Sequence, residues 1–460
     1  MDVESQATVA GQAEQIPPAK SGILARRLSL PSLATSRPAR FSAIILLYFM
    51  QGIPVGLTII AVPAWLAANG ASPVAVGAFV GTGLLPWSLK LFNGLLMDRF
   101  TFKPMGRRRS WILAAQAMML LVLIALAVVA PSSAEIFTLT AFFFSLNLCA
   151  IFNDVAVDGM TVDIVPHAER TTINGCMFAA QTLGISGSAF IAGKLLSSGH
   201  IGIAALILAG FVAIASGFIS LFRERPGERL MPWSGGKPSP ECQERQQDAW
   251  WPILRGLFKA LMVPTTIIFL LGIGLSQATF TFTDAVAPTL AVQQLGWSSE
   301  EYSTFASAMS LISAVIGAAA TPFLVKFIGL RNTMFGLFIG LSLTALAGGL
   351  TLDSWQDARI FSVLFGIQYI LGVLLLIVSV VWSMRICNPA VAASLFALFM
   401  AVPNFARSFM SGWSGWVIES FGYHGTYYMV AITTMVGLGF CLFARVGQDQ
   451  TVEFHSHSHT

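Results

Sequence analysis

Apolar residues fall along this chain in long blocks, not in the strict alternation of a half-buried strand. Phe41–Ala68 and Trp111–Ala130 are examples. A run of about 18 or more apolar residues is long enough for a helix to cross a bilayer, whereas a membrane-spanning strand needs only about 10 alternating ones. The blocks therefore predict transmembrane helices, each satisfying its own backbone groups. Twelve spans are expected, near 41–68, 74–97, 110–130, 135–160, 170–197, 201–222, 263–293, 299–327, 331–351, 357–385, 390–418 and 424–446. The fold class is thus an all-α membrane protein of two six-helix halves, at 41–222 and 263–446. A tail at 1–40, a linker at 223–262 and a tail at 447–460 complete the chain.

Charge fixes the expected orientation, because Lys and Arg are retained on the cytoplasmic side of a membrane. With the N-terminus cytoplasmic, all Lys and Arg residues except Lys90, Lys194, Arg359 and Arg407 fall on cytoplasmic segments or span ends. An even number of spans then makes the C-terminus cytoplasmic too. Composition agrees with a membrane protein: 55% of residues are apolar and 10% charged, against about a quarter charged in a soluble domain. The net charge of +4 is accounted for by topology and implies no nucleic-acid partner, since the basic residues are divided among short loops. Cys149, Cys176, Cys387 and Cys441 lie in or beside apolar blocks, where cysteine acts as a small apolar residue. No disulfide framework or metal site is predicted, and no cofactor. No apolar stretch suited to a cleavable signal lies in the first 40 residues, so the first span is expected to serve as the targeting signal.

The two halves echo each other. Ala61-Val62-Pro63-Ala64, Asn69-Gly70-Ala71-Ser72 and Gly77 in the first correspond to Ala285-Val286-Ala287-Pro288, Leu295-Gly296-Trp297-Ser298 and Ser303 in the second. Gly106-Arg107-Arg108-Arg109 likewise corresponds to Gly329-Leu330-Arg331-Asn332. Parallel six-helix repeats place a substrate site between them near the midplane. Within the linker, Trp250–Met262 reads either as an amphipathic helix on the membrane surface or as plain connection. The tail His455-Ser456-His457-Ser458-His459 has the alternation of an extended metal ligand, but such tails more often have no role.

Charged residues inside spans cost roughly 2.5–3.5 kcal/mol each at a helix centre and persist when paired or facing a wet cavity. Five need a role: Lys90, Asp154, Asp158, Asp284 and Arg407. Asp154 and Asp158 share one helix face at i, i+4 spacing. Lys90 and Asp154 lie at matching depths, which predicts an ion pair or triad of Lys90 with Asp154 and Asp158. Two acids against one base suit proton coupling, and a static clamp is the other reading. Asp284 is a candidate proton carrier if alone, or a partner of Arg407. Arg407 is in turn a candidate contact for an anionic solute, as is Lys90. Among the polar residues within spans, Gln51 and Gln277 occupy similar depths in the paired first and seventh spans and are the chosen substrate contacts. Interhelical bonding is the commoner use for such residues.

Several segments carry a family resemblance. Asp98-Arg99-Phe100-Thr101-Phe102-Lys103-Pro104-Met105-Gly106-Arg107-Arg108-Arg109-Ser110-Trp111 resembles the signature loop of the major facilitator superfamily. Its long insert resembles the branch of peptide and acetyl-coenzyme A transporters, which includes bacterial muropeptide permeases. Leu47–Leu57, Pro86–Leu91 with its lysine, and Asn153–Gly159 resemble that branch's first, second and fourth spans. Thr283-Asp284-Ala285 resembles a Gly-Asp-Ala of the muropeptide permeases' seventh span. The resemblance implies alternating access and, as the expected mode, proton-coupled import of a medium-sized anionic solute across a bacterial inner membrane by a monomer. Muropeptides, siderophores and acyl-coenzyme A compounds are the solute classes it suggests. A proton-independent exchanger or uniporter, or a non-transporting receptor, are the alternatives. It also implies that Asp98, Arg99, Gly106, Arg107, Arg108 and Arg109 form a cytoplasmic gate joining the halves. No enzyme is expected: the sequence has no His-Glu-x-x-His and no Gly-x-Ser-x-Gly.

Overall fold

The computed structural model describes residues 32–244, 255, 258, 261–355, 358–386 and 392–443. The first 31 residues, most of Trp250–Met262 and the histidine tail lie outside these. Ten apolar helices occupy the expected places: α1 (Arg37–Ala68), α2 (Pro73–Arg99), α3 (Arg109–Val129), α4 (Ile136–Ile164), α5 (His167–Ser197), α6 (Ile201–Ser220), α7 (Pro264–Gln294), α8 (Ser299–Ile328), α9 (Leu330–Thr351) and α10 (Ala358–Met384). The eleventh helical segment, Ala392–Phe443, has 52 residues. At about 1.5 Å per residue it would be more than twice the thickness of a hydrocarbon core of about 30 Å. It is broken at Gly422, with φ 66° and ψ −177°, a backbone open to glycine and strained for other residues. Two spans result, α11 (392–421) and α12 (423–443), which completes the expected twelve.

Local chemistry sets the helix ends. Ser36 and Ser72 cap α1 and α2, each accepting from the backbone N–H three residues on. Ser298 and Glu301 form a reciprocal capping box at α8. Departures from α-helical geometry fall inside spans. Leu57–Ala61 in α1, and Phe282–Val286 and Leu290–Gln294 in α7, are π-helical turns, and Leu85–Leu89 in α2 tightens to 3-10 geometry just before Lys90. The π turns occupy corresponding spans of the repeat, and Phe282–Val286 carries Asp284. Such turns recur at functional positions because they turn side chains out of the regular helical stripe.

The apolar core has an uneven shape. On the face opposite the chain termini it is one body drawn from both halves, with Leu66, Phe79 and Phe143 of the first packed with Phe282, Tyr302 and Tyr427 of the second. Toward the termini it divides. One core there belongs to the first half (Leu47, Met97, Ile112, Met160) and another to the second (Phe269, Met334, Trp382, Phe399). Polar bonds across the halves are on the joined face as well. Gln293 Nε2 donates to the carbonyls of Ala67 and Ala71 at 3.0 and 2.8 Å. Ser408 Oγ donates to the Gly81 carbonyl at 2.6 Å. There α2 and α11 meet backbone to backbone: a Cβ on Gly81 would lie 2.6 Å from the Gly412 Cα. The molecule is closed on its far face and divided on the face where α1 begins and α12 ends.

Candidate functional site

The charged residues within the spans form two clusters, one per half. In the first, Lys90 Nζ lies 2.6 Å from Asp154 Oδ2 and 2.9 Å from Asp158 Oδ2. The triad expected from helix depth is formed. Its acids differ in setting, because the Asp154 side chain is 5% exposed and that of Asp158 36%. A fourth member had not been expected. Tyr48 of α1 is buried and donates its hydroxyl to Asp158 Oδ1. Beside it, Asn153 Nδ2 donates to the Leu47 carbonyl at 3.4 Å and fastens α4 to α1.

In the second half Arg407 Nε lies 2.6 Å from Asp284 Oδ2. Asp284 is therefore not a lone acid, and the pairing left open by the sequence is the one observed. The guanidinium also sits over the Phe280 ring, 4.7 Å from its centre, a placement that favours a cation. Thr283 Oγ1 donates to Asp284 Oδ1 at 3.4 Å, and Tyr302 Oη donates to the Thr283 carbonyl at 3.1 Å. Asp284 is 3% exposed while the Arg407 side chain is 19% exposed, so the base is the more accessible partner.

The polar residues are more local than expected. Gln51 accepts from Gln181 Nε2 at 3.4 Å, and Gln277 donates to Ser276 Oγ at 3.5 Å. Both glutamines are buried and bonded within their own half. A further relay, missed in the sequence, links Trp87 Nε1 to Asn147 Oδ1 at 2.9 Å and Asn147 Nδ2 to Thr58 Oγ1 at 2.8 Å. It joins α2, α4 and the π turn of α1.

The described bonds of the loop expected to gate the termini-side face run to the first half and to the start of the linker in this conformation. Asp98 receives Arg107 Nη2 at 2.9 Å and Arg108 Nη2 at 2.5 Å. Asp163, at the end of α4, lies 3.6 Å from Arg107 Nη1. Glu224, just after α6, accepts from the backbone N–H groups of Arg107, Arg108 and Arg109 at 3.2, 3.0 and 3.0 Å. Arg109 Nη2 donates to the Ser220 carbonyl at 3.1 Å, and Arg99 lies over the Phe100 ring. Gly106, with φ 97°, lets the loop approach: a Cβ there would meet Glu224 Oε2 at 2.5 Å. The expectation of bonds reaching the other half differs from this arrangement because the two cores stand apart on this face. Asp163 and Glu224 were not anticipated.

Glu228 is buried in the same segment, accepting from Arg225 N at 3.0 Å and Ser239 Oγ at 2.8 Å. Burial and the neighbouring Glu224 carboxylate push its pKa up to about 7. Arg229 N donates to the Pro104 carbonyl at 2.7 Å. The chain from Arg223 to Glu244 is thus built onto the first half as a structured piece.

Among the described residues there are twelve spanning helices once the last apolar segment is divided at Gly422. That architecture is the major facilitator fold, and its relatives make the protein a membrane transporter and not an enzyme. Its similarities are to solute permeases. Residues 40–197 match the family model described as acetyl-coenzyme A transporter 1. The chain is 24% identical over 428 residues to the anhydromuropeptide permease of Escherichia coli strain K12, covering 90% of this chain and 81% of the permease. It is 28% identical over 391 residues to the folate-biopterin transporter of Synechocystis, covering 79% and 72% of the two chains. Among solved structures, the nucleoside transporter NupG superposes with a TM-score of 0.65 at 15% identity, covering 88% of this chain and 98% of that one.

Proposed function

We propose that this protein imports a medium-sized anionic solute together with protons, by alternating access, across a bacterial inner membrane as a monomer. The observation that carries the reading is the Asp284–Arg407 pair, a buried acid on an accessible base. A carboxylate or phosphate of a solute competes with Asp284 for the guanidinium, for which the planar fork is suited. Once displaced, Asp284 is a buried anion without its partner, and a proton removes that cost. Anion and proton are then bound together. When the pair forms again, both leave.

The distribution of Lys and Arg supports placing the termini in the cytoplasm. With that orientation the joined core is the outer seal and the divided face opens inward. Asp284 on Arg407 then represents the state after release. Lys90, Asp154 and Asp158 supply a second site that can take a proton, and Lys90 lies at a depth suited to a second anionic group. Gln51 and Gln277 are the proposed polar contacts for the uncharged part of the solute. Similarity to the anhydromuropeptide permease makes a muropeptide the first solute to test, followed by siderophores and acyl-coenzyme A esters.

The test is proton flux into liposomes holding the purified protein and an internal pH dye. Acidification on adding one of these solutes, absent in Asp284→Asn, is the expected result. Entry of labelled solute without acidification would establish an exchanger or uniporter instead. Silence in both signals across all three classes would leave a receptor-like protein and overturn the reading.

A further inference from the structure

The first-half cluster holds two carboxyls and one lysine, so one carboxyl is in excess and the cluster becomes neutral by taking one proton. The sequence treats Asp154 and Asp158 alike. Their surroundings do not. Asp158 has a donor on each oxygen, Tyr48 Oη on Oδ1 and Lys90 Nζ on Oδ2 at 2.9 Å, and more than a third of its side chain is exposed. Asp154 has Lys90 at 2.6 Å on Oδ2 and is almost wholly enclosed. An anion with both oxygens bonded and water at hand costs least, and an enclosed anion with one donor costs most.

We propose that Tyr48 is a positioning residue that keeps Asp158 ionised and so fixes the exchangeable proton of the cluster on Asp154. Its place is set by the backbone beside it, since the Asn153 bond to the Leu47 carbonyl holds α1 in register with α4 one residue from Tyr48. The other charged groups near this end of α4 are committed elsewhere. Arg108 lies against Gly159, next to Asp158, but its guanidinium is bonded to Asp98 at 2.5 Å and lies 4.0 Å from Asp163. Arg107 is likewise held by Asp98 and Asp163. Arg109, the charged residue of α3, donates to the Leu230 and Ser220 carbonyls. From α1, α2, α3 and α4 the groups facing the two carboxyls are therefore Tyr48 and Lys90. The inference deepens the proton-coupled reading and rests on it for its role, though not for its measurement.

The experiment is an infrared pH titration of the full chain in lipid vesicles, following the protonated-carboxyl stretching band. Replacing either acid by Glu keeps two carboxyls against one base and shifts the band only where the replaced position carries the proton. The band belonging to this cluster should move in Asp154→Glu and stay in Asp158→Glu. Tyr48→Phe should shift occupancy toward Asp158 by about tenfold, the size of one hydrogen bond to a charged group. A band that moves in Asp158→Glu and stays in Asp154→Glu overturns the proposal. So does a band that neither variant moves, or an occupancy unmoved by Tyr48→Phe. If Tyr48→Phe does not fold, the two Glu variants decide alone. No transport enters this titration. Failure of solute-driven proton flux with the band on Asp154 would sink the coupling reading only, and normal flux with the band on Asp158 would sink this inference only.

Discussion

The two charge clusters meet the same difficulty, ions taken into a bilayer, with different stoichiometry. In the second half one acid faces one base, enclosed and balanced, with an aromatic ring under the guanidinium. In the first half two acids share one base, a tyrosine supplies an extra donor, and one acid reaches water. A balanced pair is disturbed by a competitor, an unbalanced cluster by a proton. The difference teaches that solute and proton need not be read at one place. Communication between the places has a physical route, because Lys90 is on α2, Arg407 is on α11, and these helices touch through Gly81 and Gly412.

The largest effect should come from removing the lysine. Lys90→Ala leaves the buried Asp154 and the partly exposed Asp158 without their base, and breaking a buried ion pair typically costs about 3–5 kcal/mol. The expected result is loss of monodisperse protein on size exclusion and a strongly lowered Tm. Adding Asp154→Ala to Lys90→Ala should recover part of that loss, since Asp158 retains Tyr48. No recovery, either there or with Asp158→Ala, would count against the cluster as drawn.

Next comes the balanced pair. Asp284→Asn keeps the shape but not the charge, and solute-driven proton flux should fall by roughly ten- to a hundredfold, the worth of one charged hydrogen bond. Folding should suffer less than in Lys90→Ala, as Arg407 keeps some exposure and its ring contact. If Asp284→Asn transports like the parent with unchanged pH dependence, the second cluster is static and the contrast between the halves disappears.

The seam between the clusters is the third place to press. Gly81→Val drives a side chain into the backbone of Ser408 and Gly412, and overpacking of this kind costs about 1–3 kcal/mol. The far face should loosen, seen as longer distances between spin labels on the far ends of α5 and α8. Unchanged distances would show that α2 and α11 do not hold that face shut.

The smallest effect lies outside the membrane. Glu228, with its pKa pushed from about 4.5 to about 7, holds its proton in the folded segment where the unfolded chain has lost it. Its burial therefore costs nothing below pH 4.5, and the segment loses stability as pH rises toward 7. Hydrogen exchange across residues 223–244, corrected for intrinsic rates, should speed up over that window. Glu228→Gln should remove the change.

The spans were legible because hydrocarbon thickness imposes a length on apolar blocks. The Lys90 cluster was legible because depth along two helices can be counted. Tyr48 was not, since a tyrosine in a span reads equally well as apolar filling, and its role depends on the rotation of α1 against α4. Asp163 and Glu224 escaped for another reason. The basic loop was read as reaching across to the other half, whereas in this conformation its partners are the end of α4 and the start of the linker. Asp284 with Arg407 was open on depth, and only packing could decide between pairing and isolation.

The single-residue break at Gly422 bears on how the protein is made. Between α11 and α12 the polar chain is short, with Glu419, Ser420 and His424 about the glycine. The insertion machinery thus receives two apolar spans in close succession and must let them enter as a folded hairpin. Arg407 crosses into lipid as part of that hairpin, after the helix carrying Asp284 has already been synthesised, so its counter-ion is waiting when it arrives.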